Sequence, residues 1–226
     1  MSVPHPARLF HITAIANLPA ICQAGAVLSK NRGAANGVAY QNIAHGGAQG
    51  VRASKSLPDP PGGAVHDYVP FYFAPRSPML SAIHAGRVAG CTLTQQDIVH
   101  LETTVERVTA QGKPFVFYDR NATLAYSKPY TDLTCLDAVA WDLLTEPPRL
   151  DGFCKYFQNR HQEERYVDRM ERRMAEFLVR DGVALSRFVR LGVCTPAKAV
   201  QVQAVLDAAG VGLQVEVKAD WYFLGQ

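Results

Sequence analysis

Between Ser29 and Gly63 the chain loses all apolar periodicity, and Gly33, Gly37, Gly46, Gly47, Gly50, Pro58, Pro60, Pro61, Gly62 and Gly63 punctuate what is left. A segment of this kind is predicted to be largely loop. In a 226-residue chain a loop that long is usually functional, because a compact domain gains nothing from unpaired backbone.

Arg8-Leu-Phe-His-Ile-Thr13 alternates as a short buried strand does, and Ile15 to Val27 continues with helical spacing up to Gly25. After the loop, Tyr68-Val-Pro-Phe-Tyr-Phe73 is strongly β-prone, and Pro75-Arg-Ser-Pro-Met-Leu80 reads as a turn entering a helix through Ile83 and His84. Asp97–Leu101 and Pro114–Tyr118 are further short strands. Asn121 to Trp141 is small and polar, and Leu143 to Asn159 passes through Pro147, Pro148 and Gly152, which suggests a second mobile region. Arg165 to Val179 is the clearest helix, with Met170, Met174, Phe177 and Leu178 at helical offsets and Gly182 as the stop. Phe188–Val193, a helix over Pro196–Ala209, and Leu213–Val217 complete a strand-helix-strand unit. Short strands mixed with few helices predict an α+β fold rather than a doubly wound sheet.

Composition narrows the functional classes. With 48% hydrophobic and 19% charged residues the chain can bury a core without staples, and one domain is the expectation. Cys22, Cys91, Cys135, Cys154 and Cys194 form no CxxC pair, so free thiols in a reducing cytosol fit better than disulfides or zinc. MSVPHPARLFHIT has no basic stretch leading into an apolar run, and no apolar run approaches bilayer length, so a soluble, non-exported protein is expected. A net charge of +3 does not announce nucleic-acid binding by itself. The signatures GxGxxG between strand and helix, GxxxxGK[ST], HExxH and GxSxG are missing, which argues against dehydrogenase, NTPase, zincin and serine-hydrolase chemistry.

Several residues stand out on their own chemistry. His11 and Thr13 alternate on a strand and share a face, where they would serve a ligand or satisfy the core. Glu176 lies either on a solvated helix, pairing with Arg172, Arg173 or Arg180, or, given Met174, Ala175, Phe177, Leu178 and Val179 around it, at the edge of a buried cleft. Lys155 to Arg190 interleaves Lys155, Arg160, Arg165, Arg169, Arg172, Arg173, Arg180, Arg187 and Arg190 with acids and with Tyr156, Phe157 and Tyr166. That mixture suits single-strand binding, and equally an arginine-rich solvated helix.

Four blocks, in order along nearly the whole chain, carry a resemblance: Leu9-Phe-His-Ile-Thr13 with Asn17-Leu-Pro; His66-Asp-Tyr-Val-Pro-Phe-Tyr-Phe73 with Ser77-Pro-Met-Leu80; Arg173-Met-Ala-Glu-Phe-Leu-Val179; and Trp221-Tyr-Phe223. The chain resembles the DarT family of DNA ADP-ribosyltransferases, in its thymidine-modifying branch. The resemblance implies an α+β, ADP-ribosyltransferase-like split antiparallel β core with flanking helices, in one domain over 1–226, with 29–63 facing NAD⁺ and 121–160 facing the substrate. It implies Glu176 and Arg52 in catalysis and His11, Thr13, Asn17, Leu28, Tyr40, Arg52 and Met79 in the NAD⁺ pocket; the flat rings of Tyr68, Phe71, Tyr72 and Phe73 suit a wall of that pocket, with most of them expected in the core. Arg160, Arg165 and Tyr156 are the implied DNA contacts, single-stranded DNA the substrate, and no metal is needed.

The chemistry is consistent with those assignments. Cleaving NAD⁺ develops an oxocarbenium-like ribosyl cation that a carboxylate stabilises, and thymidine N3 is only weakly acidic, so a nearby cation or base is required. Such enzymes are similar to toxins whose partner antitoxin carries a macrodomain that removes the modification, in the cytoplasm. Two alternatives are a module that binds single-stranded nucleic acid without catalysis, and an ADP-ribosyltransferase acting on RNA or protein.

Overall fold

The computed structural model describes residues 2–44, 46–146 and 163–223. The first half runs β1 (Arg8–Ala14), α1 (Leu18–Ala24), β2 (Ala26–Leu28), α2 (Lys30–Ala35), α3 (Gly46–Ser54), β3 (Tyr68–Tyr72), α4 (Pro78–His84), β4 (Ile98–Thr104), α5 (Val105–Thr109) and β5 (Phe115–Tyr118). It continues with β6 (Pro129–Tyr130), α6 (Trp141–Leu144), α7 (Arg169–Arg172), β7 (Glu176–Arg180), β8 (Gly182–Ala184), β9 (Arg190–Val193), α8 (Pro196–Ala208) and β10 (Gln214–Val217). Eight strands form one sheet in the order β10-β9-β4-β1-β3-β7-β5-β6, and β2 pairs with β8 apart from it. Every neighbouring pair is antiparallel except β9 and β10, which lie parallel because α8 carries the chain back between them. This is the α+β fold that the short-strand pattern predicted, with flanking helices and one parallel pair in an otherwise antiparallel sheet.

The sheet is split near its middle. β1 pairs with β4 along its full length, from Arg8↔Thr104 to Ala14↔Ile98, but meets β3 at one register pair, Phe10↔Tyr72. Beyond that pair β1 and β3 share no further register pair, and the His11 side chain reaches the Pro70 carbonyl across the split.

Register decides which side chains meet. Phe71, Phe177 and Phe117 lie opposite one another on β3, β7 and β5, so they share a face, and the rings of Phe117 and Phe177 stack at 6.0 Å. They anchor the main core with Leu9 of β1, Leu18 and Ile21 of α1, and Val202 and Leu206 of α8. On the other face Phe10 and Ile12 pack under Leu80 and Ile83 of α4 and the terminal Trp221, Tyr222 and Phe223. α1 ends at Gly25 with φ 64°, a left-handed turn that glycine adopts without strain.

Three expectations are corrected. The helix predicted over Arg165–Val179 is limited to a 3₁₀ turn at Glu164–Tyr166 and the single turn of α7; Glu176–Arg180 is a central strand. Phe177, Leu178 and Val179 are all buried because apolar clusters pack on both faces of the sheet here, the main core on one and Leu57, Val65 and Val116 on the other, and that erases the alternation by which a strand is recognised. The 29–63 segment holds two helices, α2 being started by the Ser29 hydroxyl accepting from the Arg32 amide. The 121–160 region, over residues 121–146, contains β6, a 3₁₀ helix at Leu133–Ala138 and α6, and buries Leu136, Val139 and Trp141 in the main core. Cys22, Cys91, Cys135 and Cys194 are free thiols, and no helix among the described residues is long and apolar enough to cross a membrane.

Candidate active site

Glu176 opens β7, opposite Tyr72 of β3 on one side and Tyr118 of β5 on the other. Its carboxylate is therefore set between two phenols and is only 1% exposed. A buried carboxylate needs a cation, and Arg52 of α3 supplies it: Nη1 donates to Oε1 at 3.0 Å, and Nη2 lies 2.9 Å from Oε2. The second contact is an ion pair without hydrogen-bond alignment, so Oε2 keeps its acceptor capacity while buried.

Charge in this pocket is fixed by mutual constraint. Burial works against the Arg52 guanidinium, but the charge of Glu176 and the hydrogen bond to it outweigh that penalty and raise its pKa. Burial first, and then the negative charge of Glu176, push Tyr118 up to about 12 and Tyr72 higher still, so both phenols remain neutral donors. The arrangement combines one buried anion with a spare lone pair, one guanidinium and two protonated hydroxyls. It can stabilise a developing cation, accept a hydroxyl proton in a hydrogen bond, and steady an enolate-like oxygen.

The other predicted residues fall into separate groups. His11 sits on β1 where the sheet splits, with Nδ1 2.9 Å from the Pro70 carbonyl, so Nδ1 carries the hydrogen and Nε2 is left an acceptor. Burial lowers its pKa despite that bond, and the ring is neutral. Asn17 donates from Nδ2 to the Thr13 hydroxyl at 2.9 Å and to the Gln41 carbonyl at 3.0 Å, and accepts from the Gln41 amide at 2.7 Å. It staples the 29–63 segment to the end of β1. Leu28 ends β2, and the Tyr40 hydroxyl lies beside the Leu28 backbone but outside hydrogen-bond geometry. Met79, half-buried, packs against the cluster of Phe10 and Ile12.

Of the predicted DNA contacts, Arg165 is the one among the described residues. Tyr156 and Arg160 lie outside the described residues. Arg165 is held by Asp142, with Nε 3.2 Å from Oδ2 and Nη2 3.0 Å from the carbonyl, and stacks on Tyr166. Much of the remaining basic run is engaged internally: Arg169 with Glu146, Arg172 with Asp168, and Arg190 with Glu102 and Glu216. Among the described residues no three His, Cys, Asp or Glu side chains are grouped to hold a metal ion.

Sequence reasoning passed over Tyr118, Gln49 and His66. Tyr118 ends a recognisable strand, yet its place beside Glu176 depends on a register that sequence does not print. Gln49 lies on a helix with no apolar stripe to betray it.

Residues 10–223 match the family model described as "ssDNA thymidine ADP-ribosyltransferase, DarT". The chain belongs to the DarT family. A relative in Thermus aquaticus, a DNA ADP-ribosyl transferase, is 33% identical over 99% of this chain and 92% of its own length. The structure of Thermus sp. 2.9 DarT in complex with ADP-ribosylated ssDNA superposes with a TM-score of 0.86 at 30% identity, covering 99% of each chain. The same Thermus DarT in complex with NAD⁺ gives 0.81 at 28% identity, covering 98% of this chain and all of that one. The split sheet is thus the DarT fold, and the second half of the Arg173–Val179 block, which helical spacing misplaced, begins its central strand β7.

Proposed function

We propose that this DarT-family protein transfers ADP-ribose from NAD⁺ to the thymine base of single-stranded DNA, with Glu176 and Arg52 at the reacting centre. The observation that carries the reading is the buried Arg52–Glu176 pair between Tyr72 and Tyr118, in which Oε2 has an ion-pair contact and no aligned donor. That oxygen suits a ribose 2′-hydroxyl, which would complete its hydrogen bonding while the carboxylate faces the anomeric carbon.

NAD⁺, as substrate, supplies an electrophilic ribosyl carbon and a nicotinamide leaving group that departs with the electron pair of the glycosidic bond. Glu176 stabilises the positive charge that develops and takes the N3 proton as N3 bonds to that carbon. Arg52 steadies the negative charge on the base. His11 and Thr13 of β1 and Asn17, bonded to Thr13, are the residues proposed to hold the nicotinamide end, with Leu28, Tyr40 and Met79 as walls. Arg160, Arg165 and Tyr156 are proposed along the DNA path. A cytoplasmic setting, a single domain over 1–226 and a macrodomain antitoxin that removes the adduct extend the same reading from the family resemblance.

Incubation with NAD⁺ and thymidine-containing single-stranded oligonucleotides, with mass spectrometry of the products, should yield an ADP-ribose adduct on DNA and free nicotinamide. Oligonucleotides without thymidine should yield none. No adduct across varied sequences would end this reading.

A further inference from the structure

α3 buries none of its residues, yet it carries Arg52, whose side chain is only 13% exposed and is committed to Glu176. A helix without an apolar anchor is placed by its polar contacts. Gln49 makes two of them through one atom: Oε1 accepts from Lys30 Nζ at 2.9 Å and lies 3.1 Å from His66 Nε2.

Lysine has only donors, so the Gln49 amide must present its oxygen, and the imidazole nitrogen beside that oxygen must carry a hydrogen. Burial of His66, together with the charges of Lys30 and Arg52, lowers its pKa against the pull of Asp67, so the ring is a neutral donor. One amide oxygen therefore joins α2, α3 and the 3₁₀ turn Val65–Asp67 that leads into β3. Asp67 reinforces the frame by accepting from Asn31 Nδ2 at 2.7 Å and from the Ala64 amide at 2.7 Å. Arg52 comes three positions after Gln49 and so lies on the same side of α3.

We propose that Gln49, held between Lys30 and His66, is the positioning residue that seats Arg52 on Glu176. The inference rests on the catalytic reading of Arg52 and Glu176, and its test separates the two. Gln49→Met keeps the length of the side chain and removes the acceptor; Gln49→Glu keeps the acceptor. In single-turnover transfer to a thymidine oligonucleotide, Gln49→Met should be slowed roughly ten- to a hundredfold, with an unchanged melting temperature, and Gln49→Glu should restore most of the rate. Because Gln49 acts through Arg52, the double variant Gln49→Met/Arg52→Ala should be no slower than Arg52→Ala alone.

Multiplying losses in the double variant, a full rate in Gln49→Met, or no recovery in Gln49→Glu would each overturn the proposal. An inactive Arg52→Ala beside a fully active Gln49→Met defeats the positioning role alone. An active Arg52→Ala defeats the catalytic reading of Arg52, and the positioning role with it.

Discussion

Replacing Glu176 by glutamine keeps the volume of the side chain and removes its charge, which separates the chemistry of this carboxylate from its packing. A carboxylate about 4 Å from a unit positive charge, at an effective dielectric of about 20, contributes about 4 kcal/mol. The nicotinamide ring already carries positive charge before cleavage, so only part of that, about 2 to 4 kcal/mol, is gained in the transition state. Transfer should therefore slow by about 30-fold to 10³-fold. The fold is affected differently: breaking a buried ion pair typically costs about 3 to 5 kcal/mol, but Arg52 stands on a helix that buries nothing and can turn its guanidinium to water. A loss of about 1 to 2 kcal/mol, or a melting temperature about 3 to 6 °C lower, is expected. Single-turnover transfer quantified by mass spectrometry, with a thermal melt on the same sample, reads both quantities. A Glu176→Gln enzyme that transfers within about threefold of the wild-type rate would refute the placement of this carboxylate at the developing charge.

Asn17→Ala removes both bonds to Gln41 and the one to Thr13, and should raise the KM for NAD⁺ about tenfold while leaving kcat little changed; a change confined to kcat would contradict the stapling role. His100 is fully buried, lies 2.9 Å from the Pro75 carbonyl through Nε2, and is lowered to about 4 by burial, against the lift of that bond. The unfolded chain takes up this proton first as pH falls below about 6.5, so stability should decline between about pH 7 and pH 4, by at most about 3 kcal/mol from this ring. Urea midpoints should fall less steeply with pH in His100→Phe, and equal slopes would exclude His100 as the source. A Cβ on Gly192 would run into the Trp221 ring, so Gly192→Ala should cost about 1 to 3 kcal/mol in urea unfolding, with transfer per folded molecule unaltered.

What sequence could tell was set by how local the information is. β1, β3, β5 and β9 were legible because each is a short run of β-prone residues bounded by turns, and α8 because Thr195 and Pro196 mark its start. β7 was not. Met170, Met174, Phe177 and Leu178 fit a helix as well as anything does, and only the neighbouring strands, far away in the chain, make consecutive buried residues the right pattern for a strand. Glu176 was found through its block, while its partner was placed by family pattern: Arg52 is 124 positions away, on a helix without an apolar stripe. The two tyrosines beside the carboxylate are placed by register, which depends on three strands at once.

The lone register pair between β1 and β3 has a mechanical consequence. Each half of the sheet has its own complete ladder, β1 with β4 and β9 on one side and β3 with β7 and β5 on the other, and they are joined at Phe10↔Tyr72. Tyr72 is also the direct neighbour of Glu176. Besides the Phe10↔Tyr72 rung, the halves are tied by the His11 Nδ1 bond to the Pro70 carbonyl and by the main core, to which both contribute. The joint between the two half-sheets therefore stands one strand away from the carboxylate, and the residue that links them is the one set against Glu176.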